Sequence, residues 1–163
     1  MGLSENRIEA VHIASLVHDI GKINVPQEIL SKPGILSDLE MKMIRIHPQA
    51  GCDILIGIDF PWPIAEIVRE HHEHVDGSGY PQGLKTDEIV LEARIICVAD
   101  VIEAMSSHRP YRAILGMDEA VKEITENAGV LYDRDVVRAC REVICEKGFD
   151  FNQSTSRESE FDV

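Results

Sequence analysis

Three histidines fall within four residues in His71-His72-Glu73-His74, and a glycine-rich turn, Val75-Asp76-Gly77-Ser78-Gly79-Tyr80-Pro81, follows at once. Upstream stand His18-Asp19 with Lys22, then His47-Pro48; downstream stands Asp100. Imidazole and carboxylate groups are the usual ligands of first-row transition ions. Each residue alone has a structural explanation: a satisfied core histidine, a capping aspartate, a solvated charge. Together they recur at the ends of successive helical segments, where packing can gather them.

Neighbouring residues on a helix point about 100° apart. In regular helical geometry His71 and His72 therefore do not easily share one ion, but they can serve two. His18 and Asp19 pose the same problem and accept the same solution. A carboxylate has two oxygens, so Asp19 can bridge two ions where an imidazole cannot. Two ions about 3.5–4 Å apart acidify a bridging water and polarise a phosphoryl group for in-line displacement. Asp19 thus reads as catalytic as well as ligating. Lys22 is a poor ligand when protonated but a good point charge for a phosphate oxygen.

The elements that must position these groups read as helices. Ser4 is a good N-cap for a helix over 4–19, with Ile8, Val11, Ala14, Ser15 and His18 on or beside one face and Gly21 as its stop. A connection with Pro26, Pro33 and Gly34 holds at most one short helix near Gln27–Leu30. Ser37-Asp38-Leu39-Glu40 is a capping-box pattern. The helix it opens should end near His47, because Pro48 disfavours helical geometry in the residue before it. A further helix covers 49–57. Pro61-Trp62-Pro63 opens the next, which runs toward His71 and His72. Residues 76–85 form a loop. A long helix over 91–106 presents Ala93, Ile96, Cys97, Asp100, Val101 and Ala104 inward. Another opens at Met117-Asp118 and ends at Gly129. Asp133 caps the last, which ends at Gly148. No run alternates as a strand should, so the chain reads as all-α with six or seven helices.

The 163 residues form about one domain, and 44% are hydrophobic, enough for a sizeable core. The net charge of -13 argues against binding a nucleic-acid polymer or an anionic membrane surface. Cys52, Cys97, Cys140 and Cys145 form no CxxC pair and read as free thiols of a reducing compartment. With no spanning segment and no signal-peptide core, the expected location is cytoplasmic.

Five segments in order carry a family resemblance: His18-Asp19-Ile20-Gly21-Lys22-Ile23, His47-Pro48, HHEHVDGSGYP, Ala99-Asp100-Val101 and Arg109-Pro110-Tyr111-Arg112. They closely resemble the HD-GYP family, the bacterial branch of the HD metal-dependent phosphohydrolases, over residues 3 to 148. The resemblance implies an HD-domain helical bundle over 1–149, followed by a polar tail over 150–163. It implies a metal-dependent phosphodiesterase that hydrolyses cyclic di-GMP to pGpG or GMP in second-messenger signalling. His18, Asp19, His47, His71, His72 and Asp100 match the family's metal ligands, with Asp19 as the bridge. The expected cofactors are two divalent ions, iron or manganese, with zinc and nickel as alternatives. Lys22 matches the lysine that approaches the scissile phosphate. Arg109 and Arg112 match the basic residues that hold the substrate's phosphates. Gly79, Tyr80 and Pro81 match the namesake triplet; its role is structural or regulatory, or it is a tight turn that merely closes a helix.

Family domains carry additional helices before the His-Asp motif, and in several members a Glu or His there completes a metal site. This sequence starts just before that motif, so those helices are expected to be missing. A third metal is then doubtful, and exposed apolar surface on the first helix would favour a homodimer. An upstream regulatory domain or a GGDEF-type signalling partner is also expected. Tyr132-Asp133-Arg134 stands where the family usually has Phe-Asp-Pro. Two other readings stay open: an interaction module that keeps the ligands without turnover, and an HD phosphohydrolase of another nucleotide. Outside the motifs, His12 reads as packing, His74 and His108 as surface residues, and Trp62 as a helix-entry packing residue. Glu73 either orients an imidazole or faces water.

Overall fold

A computed structural model describes residues 1–106 and 116–146. It contains eight α-helices among these residues: α1 (Glu5–Val17), α2 (Gln27–Leu30), α3 (Asp38–Ile44), α4 (His47–Leu55), α5 (Ile64–Glu70), α6 (Leu91–Ser106), α7 (Met117–Glu126) and α8 (Arg134–Arg141). No strand occurs among the described residues; two isolated bridges pair Asp76 with Lys85 and Ala128 with Tyr132. The all-α expectation therefore holds. Arg109, Arg112, His108 and the tail over 150–163 lie outside the described residues.

Helix α6 is the spine, because it contributes to both cores. Ala93 and Ile96 join Ala10, Ala14, Leu55, Ile64, Ile67, Val68 and Ile89 from the N-terminal half. Cys97, Val98 and Ile102 join Ala120, Ile124, Tyr132, Val136 and Val137 from the C-terminal half. A helix packed on two sides buries more than the single stripe that a surface helix shows. Val98 is buried on α6, whereas Val101 and Ala104, expected inward, are only partly covered. Arg7 Nε donates to Glu92 Oε1 at 2.6 Å and ties α1 to α6.

Local rules account for most helix ends. Ser37 and Glu40 form both halves of the expected capping box at α3. The Asp133 carboxylate caps α8 by accepting from the backbone N–H groups of Asp135 and Val136, at 2.8 and 3.1 Å. Several boundaries differ from the sequence reading; α8 ends at Arg141, and Gly148, expected to end the last helix, lies outside the described residues. α3 stops at Ile44, and His47 opens α4 with Pro48 behind it in the first turn. Proline is well tolerated there, because the first-turn N–H groups have no intrahelical partner. α1 ends at Val17 and is followed by a 3₁₀ turn over Ile20–Asn24, so Gly21 sits inside that turn rather than ending α1. α7 ends at Glu126, three residues before Gly129.

Candidate metal centre

The 3₁₀ turn lies against the start of α4, and Gly21 is what lets it approach. A Cβ at residue 21 would collide with the His47 carbonyl oxygen and stand 2.5 Å from the Gly51 nitrogen. This contact brings the His18-Asp19 segment to His47. The end of α5 brings His71 and His72 to the same place, and α6 brings Asp100.

Five of the six expected ligands are joined by direct contacts, and the sixth reaches them through His18. His47 Nε2 lies 3.2 Å from His71 Nε2. His47 Nε2 is 3.4 Å from Asp19 Oδ1, and His18 Nε2 is 3.5 Å from Asp19 Oδ2. The two oxygens of Asp19 thus face different imidazoles, as a bridging carboxylate requires. His18 Nε2 is 3.9 Å from Asp100 Oδ1. The rings of His71 and His72 are 4.1 Å apart.

Hydrogen bonding sets which nitrogen of each ring faces the cluster. Nδ1 of His18, His47 and His71 meets the carbonyl of Ser15, Ile44 and Val68, at 2.7, 2.8 and 2.5 Å. A carbonyl only accepts, so each Nδ1 carries the proton and Nε2 carries the lone pair. His47 and His71 then direct two lone pairs at each other across 3.2 Å, in a place where both residues are buried. Such a pair calls for a cation between or beside them. Donor atoms around one tetrahedral ion with bonds of 2.0–2.1 Å stand roughly 3.4 Å apart, so the spacing fits. The outer carbonyls are the kind of partner that orients metal-ligating histidines.

Burial also keeps the rings of His47, His71 and His72 neutral. Burial, together with the neighbouring imidazoles, pushes His71 down to about 3 and His72 down to about 2. His47 is lowered by burial too, against the pull of the Ile44 carbonyl and Asp19. Burial opposes ionisation of Asp19, but the hydrogen bond and charge of Lys22 outweigh it and hold the carboxyl below its usual value. Lys22 Nζ donates to Asp19 Oδ2 at 2.5 Å.

The premise that separated His71 from His72 does not hold. His71 is the C-cap of α5 and His72 lies beyond the helix, so the 100° rule does not govern the pair. Donor atoms of His47, His71 and His72 all lie within 4.8 Å of one another. These three can converge on one ion, with Asp19 leading to His18 and Asp100.

Glu73 turns its carboxylate to the following loop rather than to an imidazole or water. It is 2% exposed, and its carboxylate accepts from the N–H groups of Gln82, Gly83 and Leu84, at 2.6, 3.2 and 3.0 Å. The only sequence signal for it was its place beside the paired imidazoles. His12 is exposed rather than packed, since α1 turns Ala10 and Ala14 inward instead. His74 is half-buried, with Nδ1 3.0 Å from Ser78 Oγ. Trp62 packs against the N-terminal core as expected.

Comparison with known proteins identifies the family. The family profile described as HD domain matches residues 1–136. A cyclic di-GMP phosphodiesterase response regulator of Xanthomonas campestris pv. campestris is 43% identical over 141 residues, 85% of this chain and 37% of its own length. A cyclic di-GMP phosphodiesterase of Thermotoga maritima is 44% identical over 141 residues, 85% of this chain and 38% of its own. A 3'3'-cGAMP-specific phosphodiesterase of Vibrio cholerae is 38% identical over 131 residues, 80% of this chain and 28% of its own. The chain thus spans under two-fifths of the length of these relatives. A crystal structure of a Vibrio cholerae cyclic GMP-AMP phosphodiesterase superposes with a TM-score of 0.64 at 18% identity, covering 88% of this chain and 39% of that one. That likeness concerns the fold. The chain belongs to the HD domain family and carries the Gly79-Tyr80-Pro81 signature of its HD-GYP branch.

Proposed function

We propose that this chain is a metal-dependent phosphodiesterase that hydrolyses cyclic di-GMP to pGpG or GMP. The observation that carries the reading is the set of imidazoles gathered around Asp19, with Nε2–Nε2 and Nε2–Oδ distances of 3.2–3.5 Å. His18, Asp19, His47, His71, His72 and Asp100 would hold two divalent ions, and mixed nitrogen and oxygen donors suit iron or manganese, with zinc or nickel as alternatives. Ions bound there would supply Lewis acidity toward a phosphoryl oxygen and acidify an attacking water.

The chain's own groups do the rest. Asp19 presents one oxygen to each half of the site. Its Lys22 partner brings a positive charge to the edge of the cluster, where a phosphate oxygen gains most from it. Arg109 and Arg112 would take the substrate's other phosphate oxygens through bidentate contacts. In a chain of net charge -13, such local cations are needed to admit a dianionic ligand.

The proposal extends to a homodimer formed over the exposed Ile8 and Leu16 of α1, and to control by an upstream domain or a GGDEF-type partner. It places the protein in the cytoplasm, consistent with four free cysteines. Among the described residues no helix is long and apolar enough to cross a membrane.

The names of the relatives include both cyclic di-GMP and 3'3'-cGAMP phosphodiesterases, so substrate choice needs direct measurement. Metal content of anaerobically purified protein is measured beside product formation from cyclic di-GMP and 3'3'-cGAMP. Wild type should carry metal and cleave cyclic di-GMP, and Asp19→Ala should lose both. Unchanged turnover in Asp19→Ala refutes the bridging role. Metal and dinucleotide binding without turnover in wild type would instead establish an interaction module.

A further inference from the structure

We infer that Tyr80 is a positioning residue for the His72 imidazole, and that Glu73 holds Tyr80 in place through the loop. The inference rests on the reading of His72 as a metal ligand. Three of the four clustered imidazoles are oriented alike, through an Nδ1 bond to the carbonyl three residues earlier. Among the described residues no hydrogen bond reaches a ring nitrogen of His72. The Tyr80 ring stacks on it instead, with centroids 4.8 Å apart and planes inclined by 26°. Such stacking restrains the ring's tilt.

The loop is built to deliver that ring. The Tyr80 N–H donates to the His72 carbonyl at 3.1 Å, so backbone and ring of Tyr80 engage the same residue. This approach is available only with glycine at 79. A Cβ there would stand 2.6 Å from the His72 carbonyl oxygen and 2.5 Å from the Glu73 Cα. On the far side of Pro81, the buried Glu73 carboxylate collects three consecutive N–H groups. The Arg45 guanidinium lies 5.1 Å from the Tyr80 ring centroid, within cation–π range. Tyr80 is thus fixed from its backbone and its ring, and His72 inherits that order. Among the described residues no hydrogen bond reaches the hydroxyl, so a phenyl ring should serve as well.

Partners that orient metal ligands typically change metal affinity about 10- to 100-fold when removed. The test titrates metal-free protein with Co²⁺, followed by its visible absorption, with circular dichroism melting as the check on folding. Tyr80→Ala and Glu73→Gln should weaken Co²⁺ binding about 10-fold or more. Tyr80→Phe should stay within about 2-fold of wild type, since it keeps the ring. Should Tyr80→Ala fail to fold, Tyr80→Leu fills the space without a planar face and should show the same loss. Wild-type affinity in the Ala or Leu variant, beside a clear loss in His72→Ala, overturns the role of Tyr80 and leaves His72 as a ligand. Wild-type affinity in His72→Ala overturns the ligand reading itself. A loss in Tyr80→Phe equal to that in Tyr80→Ala would assign the effect to the hydroxyl and overturn the stacking account.

Discussion

Gly21→Ala is the sharpest perturbation of the metal centre that leaves every candidate ligand in place. The added methyl would collide with the His47 carbonyl oxygen, and it would lie 2.9 Å from the His47 carbonyl carbon and 2.5 Å from the Gly51 nitrogen. All three are backbone atoms at the start of α4, so no side chain can swing aside. Ordinary contact needs about 3.5 Å. The 3₁₀ turn must therefore withdraw from α4 by about 1 Å or more. Asp19 rides on that turn and His47 on the helix, so their 3.4 Å contact opens by a similar amount. Overpacking of this kind costs about 1–3 kcal/mol. A misplacement of 1 Å at a reacting centre can cost about 100-fold in rate. Urea unfolding of metal-free protein reads the packing cost, Mn²⁺ or Co²⁺ titration reads the opened contact between Asp19 and His47, and turnover of cyclic di-GMP reads the rate. We expect a clear fall in the midpoint and at least about 10-fold weaker metal binding. If Gly21→Ala unfolds at the wild-type midpoint and binds metal equally well, backbone approach at Gly21 is not what joins the two halves of the site.

Asp133→Asn should keep the cap of α8, because asparagine caps as well as aspartate, but lose the 2.7 Å ion pair with Arg94. The pair is largely covered, so the expected cost at pH 6 is about 1–2 kcal/mol in urea unfolding. Burial works against the Asp133 charge, but the backbone N–H groups and Arg94 outweigh it and lower its pKa. A depressed carboxylate stabilises fully above its unfolded value of about 3.9 and loses that stabilisation as pH falls through the folded value. The gap between wild type and variant should therefore shrink below pH 4; a gap that widens there refutes the assignment. Arg109→Ala should raise KM for cyclic di-GMP about 10-fold or more while metal content stays at the wild-type level. Loss of metal in that variant would show that the arginine acts at the centre instead.

Several features were legible because they depend on local rules. Ser37 and Glu40 form a capping box from four consecutive residues, and Asp133 caps α8 from the position the sequence assigns. The all-α class follows from apolar spacing and the absence of alternation. Glu73 was not legible, because a carboxylate beside two imidazoles invites a role toward them. Its actual partners are N–H groups nine to eleven residues away, in a loop whose path no local pattern specifies. The relative orientation of His71 and His72 was not legible for a related reason: apolar spacing does not mark where α5 ends, and it ends before His72.

From its sequence alone, this protein was bound to be helical and to carry imidazoles and carboxylates suited to divalent cations. Residue type sets donor chemistry, and periodicity sets which segments coil. Only the tertiary structure decided that the two oxygens of Asp19 face different histidines and that Tyr80 rests on His72. Those relations depend on how closely distant backbones approach, at Gly21 and at Gly79, and such distances are set by the packing of the whole chain.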